Sequence, residues 1–167
     1  MMMLLFPLLG LAAALIHMAL DKKLRTPKKA IEIILLYQLV IGTGLGCFSG
    51  FIGHTLRDAD TAKFIGWKAG SPFQFEVAMA NLAFAVLGVL CYWFRGNFWL
   101  ATIVSTTVFG WGAAWVHIND ILNRNNMKPG NAGLVLYLDI LMPVIMIGLY
   151  AAMNLAKERK AKRKKAK

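Results

Sequence analysis

Acidic side chains are scarce in this chain: eight Asp and Glu stand against 19 Lys and Arg, with three His. A net charge of +11 and a pI of about 10 raise nucleic-acid binding as a first reading. The placement of the cations argues against it. Eight of the 19 lie between Lys157 and Lys167, and five between Lys22 and Lys29, at the ends of apolar runs. No nucleic acid is expected. Cysteine is nearly absent as well. Cys47 and Cys91 sit in separate apolar runs, at depths more than about 10 Å apart at the helical rise, too far for a disulfide. No Cys-x-x-Cys occurs, which excludes dithiol chemistry carried by the chain itself. Ser49, Ser71 and Ser105 stand in no nucleophile elbow, so a nucleophilic enzyme is not expected. No cation precedes the first apolar run, and five follow it. That order is the reverse of a secretory signal, so the run is read as a retained helix despite Ala12-Ala13-Ala14.

What is present is apolar sequence: 58% of residues, with a mean hydropathy of +0.56. It falls in five runs: Met3 to Leu20, Ile31 to Leu56, Phe73 to Phe94, Phe98 to Leu122 and Leu134 to Leu155. Crossing the hydrocarbon takes about 20 apolar residues, and in lipid only a helix satisfies the backbone of such a run. The expectation is an all-α polytopic transmembrane bundle of five helices. Residues 1–156 form one membrane domain, and 157–167 a solvated basic tail on anionic lipid. With the N-terminus outside, 14 cations lie on the inner side and five on the outer, which places the C-terminus inside. The membrane is expected to be the cytoplasmic one.

Local signals mark the helix ends. Ser71-Pro72-Phe73-Gln74 reads as a capping box with proline in the first turn. Pro129-Gly130-Asn131 breaks the chain before the fifth helix, and Pro143 should kink that helix. Gly42, Gly46 and Gly50 form a small-xxx-small face.

Ionisable residues are costly inside lipid, so their depth is informative. His54, Glu76, His117, Asp120 and Asp139 all fall near the outer end of their helices, with Gln74, Asn81, Asn119 and Asn131 at the same level. Helical spacing aligns His54 with Gly50 and puts His117 and Asp120 with Ala113. These residues are expected to point into the bundle. The segment His54 to Glu76 is echoed by His117 to Asp139, two hairpins each offering a histidine and an acid around a common centre. His17 is expected to pair with Asp21, four residues on.

The expected site is an outward-facing polar pocket of His54, Gln74, Glu76, His117, Asp120 and Asp139, taking a small ligand, a proton or a metal ion. His54, Glu76, His117 and Asp120 are its candidate metal ligands, for a divalent cation such as Zn or Mn. The bland alternative is that these groups only complement helix dipoles and bond between helices. The functional reading is a small accessory membrane subunit. A transporter or channel protomer and a metal-dependent membrane enzyme stay open beside it, as do a larger membrane complex and a homo-oligomer as partners.

The stretch Gly66-Trp67-Lys68-Ala69-Gly70-Ser71-Pro72-Phe73-Gln74-Phe75-Glu76-Val77 resembles the signature GW-x-x-GSPFQ-x-E-V of an uncharacterised family of small multi-pass membrane proteins of bacteria and archaea. Pro129-Gly130-Asn131-Ala132-Gly133 and Asp139 are similar to that family too. This resemblance implies topology and no particular activity. Glu76 and His117 also resemble, in spacing and place, the early Glu and late His of the DoxX-like four-helix membrane proteins. That likeness implies a subunit of a redox complex, although no cysteine accompanies the outer cluster.

Overall fold

The computed structural model describes the backbone of residues 2–165 and the side chains of residues 4–156. Six helices account for it: α1 (Met2–Leu20), α2 (Pro27–Thr55), α3 (Asp58–Ile65), α4 (Pro72–Leu90), α5 (Asn97–Arg124) and α6 (Leu134–Lys165). No strand occurs among the described residues. Four of them, α2, α4, α5 and Leu134–Ala156 of α6, are long and apolar enough to cross a membrane; Leu4–Leu20 of α1 is apolar but shorter. The five apolar runs lie on α1, α2, α4, α5 and α6, and four of those helices, not five, are long and apolar enough to span among the described residues. The runs missed α3, whose eight residues carry three charges, Asp58, Asp60 and Lys63, and no apolar run. The basic tail is helical too: α6 continues to Lys165 instead of ending near Leu155.

Helix α2 is the spine. α1 and α4 pack along it, and α6 meets its first half near the Lys22–Lys29 end. Its middle, Gln38–Leu45, is wound as a π-helix, a form that widens the turn. There the backbones of α2 and α4 nearly touch: a Cβ on Gly88 would lie 2.6 Å from the Gly44 nitrogen and 2.7 Å from the Leu39 carbonyl. The expected glycine face is divided between two neighbours. Gly42 and Gly46 face Pro7 and Phe6 of α1, while Gly50 faces Asn81 of α4. α5 and α6 form a second pair, and α4 and α5 touch little beyond Phe84 against Phe109.

The end bearing Lys22–Lys29 and Arg95, here the basic end, is closed by side-chain bonds, several of them short-range. Arg25 donates from Nε and Nη2 to the carbonyls of Met18 and Ala19, orphan acceptors of the α1 terminus. Asp21 caps the 3-10 turn Lys22–Leu24 by accepting from the Lys23 amide. His17 consequently does not pair with Asp21; its Nδ1 meets Tyr37 Oη at 3.2 Å. The buried Trp99 donates to the Cys91 carbonyl at 2.8 Å, and Arg95 lies over its ring while reaching Glu32 at 3.3 Å. The largest buried apolar cluster, including Leu35, Leu39, Ile103, Met146 and Met153, lies in the same half. The outer surface is itself apolar, with Leu8, Ile16 and Val108 all more than half exposed. Such a surface is stable in lipid and aggregates in water.

Candidate functional site

The opposite end is organised by a polar loop. Helix α3 stops at Gly66, whose φ of 91° is the left-handed cap that glycine adopts without strain. Its last carbonyls would be orphaned there. The loop after α5 takes them: the Gly130 amide donates to Phe64 O at 3.1 Å, and Asn126 Nδ2 donates to Ile65 O at 2.9 Å. A side chain at Gly130 would strike Phe64, so only glycine lets the loop come this close. The loop is thereby laid over α3 and across the ends of α5 and α6.

Asn131, fully buried, follows directly. Its Nδ2 donates to the carbonyls of Asn126 at 2.8 Å and His117 at 3.3 Å. Both amide hydrogens are spent, so Oδ1 is the atom that meets His117 Nδ1, at 2.8 Å. An acceptor at that position requires the ring to carry its proton on Nδ1. Nε2 then points to Asp139 Oδ2, 3.7 Å away. Trp67 stacks on the other side of the imidazole, with centroids 6.3 Å apart and planes 18° apart. Asp139 reaches this position because α5 and α6 approach closely at Gly110, where a Cβ would lie 3.2 Å from Asp139 O and 3.4 Å from Pro143 Cγ.

Of the six expected site residues, only His117 and Asp139 are brought together. Asp120 is buried one turn beyond His117, but its oxygens turn to Arg124 Nη1 at 3.2 Å and to Asn126 Nδ2. Gln74 is buried and donates to the Asp58 carbonyl, tying α4 to α3. It takes no part in a capping box, because the Ser71 side chain makes no cap bond. Glu76 is exposed. It follows Gln74 by two residues, about 200° around the helix, and so faces away from the packed side. His54 is half-buried, its Nδ1 shut off from solvent and unpaired among the described residues.

The four expected metal ligands therefore do not converge. Among the described residues no three His, Cys, Asp or Glu are placed to hold a metal ion. One imidazole and one carboxylate are two donors, short of the three or four protein ligands of zinc sites. At 3.7 Å, Nε2 and Oδ2 stand at ion-pair distance, longer than a hydrogen bond, so what the geometry offers is one imidazole facing one carboxyl group.

Asn126 and Asn131 are the residues that position the site, and the expected set contained neither. The sequence places Asn131 at the level of the polar cluster without a role, and Asn126 leaves no trace beyond an Asn-rich loop, Asn125-Asn126-Met127-Lys128-Pro129-Gly130-Asn131.

Comparison with known proteins adds a family. The model of a "Family of unknown function (DUF6790)" matches residues 1–159. The chain belongs to that family. The match takes in all six helix starts and every residue of the His117 site. No curated protein matches the chain, and no solved structure does.

Proposed function

We propose that the chain is an integral membrane protein, N-terminus out and C-terminus in, whose His117–Asp139 pair is a proton-binding site near the outer face. In this reading it serves as a small subunit of a membrane complex. The observation that carries it is the fixed ring: Asn131 holds the Nδ1 proton, Trp67 covers one face, and Nε2 is left for Asp139 alone. In this reading the half-buried Asp139 carboxyl, facing an imidazole of set tautomer, is the group that takes up or releases the proton. The apolar exterior supports the membrane, and the 14-to-5 division of cations supports the orientation. The basic end of α6 would then lie on anionic lipid.

Infrared spectroscopy of protein reconstituted in phosphatidylglycerol bilayers tests the pair. A carboxyl C=O band should change with pH in the wild type. It should vanish in Asp139→Asn and titrate elsewhere in His117→Ala. An identical band in wild type and Asp139→Asn, or a titration untouched by His117→Ala, would overturn the reading.

A further inference from the structure

Beside the His117 site, and outside it, α5 carries a shallow groove of about 260 Å³. Trp67, Trp115 and Val116 form its apolar walls; Asn119, Asp120, Asn123 and Arg124 supply its polar atoms. We propose that this groove seats the zwitterionic headgroup of a phospholipid, with an acyl chain running along α5.

The charges define the ligand class. Arg124 is 79% exposed at its side chain and spends one nitrogen on Asp120, leaving most of its guanidinium donors free. Asp120 is 8% exposed at its side chain, so its negative charge lies at the floor beneath the arginine. A purely anionic ligand would meet Asp120, and a purely cationic one would meet Arg124. A molecule carrying phosphate and ammonium a few ångströms apart satisfies both. The phosphate accepts from Arg124. The ammonium lies against the indole faces, where a cation is attracted by the ring quadrupole, and donates to the Asn123 amide oxygen. Asn119 and Asn123 are oriented for this: Asn119 Nδ2 donates to Trp115 O, and Asn123 Nδ2 donates to Asn119 Oδ1. Among the described residues, nothing else takes Asn123 Oδ1.

The helix surface selects a lipid over a soluble zwitterion. Trp115 continues into an exposed apolar stripe of Trp111, Val108 and Val104, which are 47%, 69% and 52% exposed. Those positions repeat at four, seven and eleven residues and so share one face. The stripe is about 16 Å long at the helical rise, comparable to much of an acyl chain. An exposed Trp at its top and an Arg beside it fit the headgroup level of a bilayer. The inference shares with the proposed function the membrane setting and Trp67, which also stacks on His117, but neither His117 nor Asp139 enters it.

Native mass spectrometry of the detergent-purified full chain tests it, with dioleoylphosphatidylethanolamine, dioleoylphosphatidylglycerol and soluble phosphoethanolamine as probes. The ethanolamine lipid should be retained about tenfold more than the glycerol lipid, the worth of one charge-assisted contact. Trp115→Ala should remove that preference, since the indole holds the ammonium, and Arg124→Ala should weaken retention of both lipids, since both carry the phosphate. Both side chains are exposed, so circular dichroism should show unchanged helix content. Val108→Ser should weaken retention of both lipids alike. Equal retention of the two lipids, a preference that survives Trp115→Ala, or retention of both lipids untouched by Arg124→Ala overturns the proposal. Soluble phosphoethanolamine bound as tightly as the lipid would also overturn it, by making the ligand a free zwitterion. The infrared test of the His117–Asp139 pair is run in phosphatidylglycerol and stands or falls separately.

Discussion

The chain folds two hairpins that look alike in sequence and end differently. The first runs from α2 through α3 to α4 and offers His54 and Glu76. The second runs from α5 to α6 and offers His117 and Asp139. Only the second joins its histidine to its acid. The difference is one of helical phase. In α4 the packed face is Gln74, Ala78, Ala85 and Gly88, and Glu76 stands about 200° from Gln74, on the far side. In α6 Asp139 precedes Pro143 by four and Met146 by seven, so it lies on the packed face with them. The connections differ as well. Helix α3 fills the first, whereas an asparagine loop in the second folds over the histidine and bonds to it. Similar spacing between a histidine and an acid thus predicts nothing about their meeting unless the acid shares the phase of the core.

The sharpest contrast between the hairpins is in their glycine contacts. Gly88→Ala should cost the most, about 3 kcal/mol, because its Cβ would meet backbone atoms of Gly44 and Leu39 that cannot yield. Thermal unfolding in detergent checks it. Asn131→Ala comes next, at about 2–3 kcal/mol, since it leaves the His117 Nδ1 hydrogen and a buried carbonyl unpaired. The same variant should alter the carboxyl infrared titration while α2–α4 packing is kept, which separates the second hairpin from the first. Gly110→Ala should be milder, about 1 kcal/mol, because its nearest neighbour lies at 3.2 Å and α5 can shift slightly on α6. A loss equal to that of Gly88→Ala would break the contrast. Glu76→Gln should change stability by less than about 0.5 kcal/mol, as for exposed sites, and leave the titration of the pair unmoved. A large effect at Glu76 would restore the symmetric pocket that the two hairpins imply on paper.

The two ends of the molecule repeat the lesson. At the basic end most bonds are local or join neighbouring turns, such as Arg25 to Met18 and Trp99 to Cys91. Each end also has a bond that reaches far along the chain: Arg95 to Glu32 spans 63 residues at the basic end, and at the His117 end Asn126 to Ile65 spans 61. No window of sequence contains both partners of either, so those bonds have no local signature. The His17 pairing failed for a related reason. Asp21 was claimed by the turn beside it, and the ring found Tyr37 on the next helix.

By itself the sequence determined where the long apolar helices lie, though not the existence of α3 or the reach of α6 past Leu155. Runs of apolar residues specify where the long helices run, and Pro72 and Pro129 mark boundaries, because a proline acts through its own backbone. It also placed His117 and Asp139 at corresponding ends of their helices, since position along a helix follows from counting residues. Which polar groups meet was decided only in three dimensions. Helix rotation is set by packing against neighbours distant in sequence, as Gly88 against Gly44 turns Glu76 outward. The tautomer of His117 follows from Asn131, and Asn131 is held by a loop that exists to close the carbonyls of α3. Those are cooperative choices made by hydrogen-bond satisfaction among separate elements, and only the assembled bundle makes them.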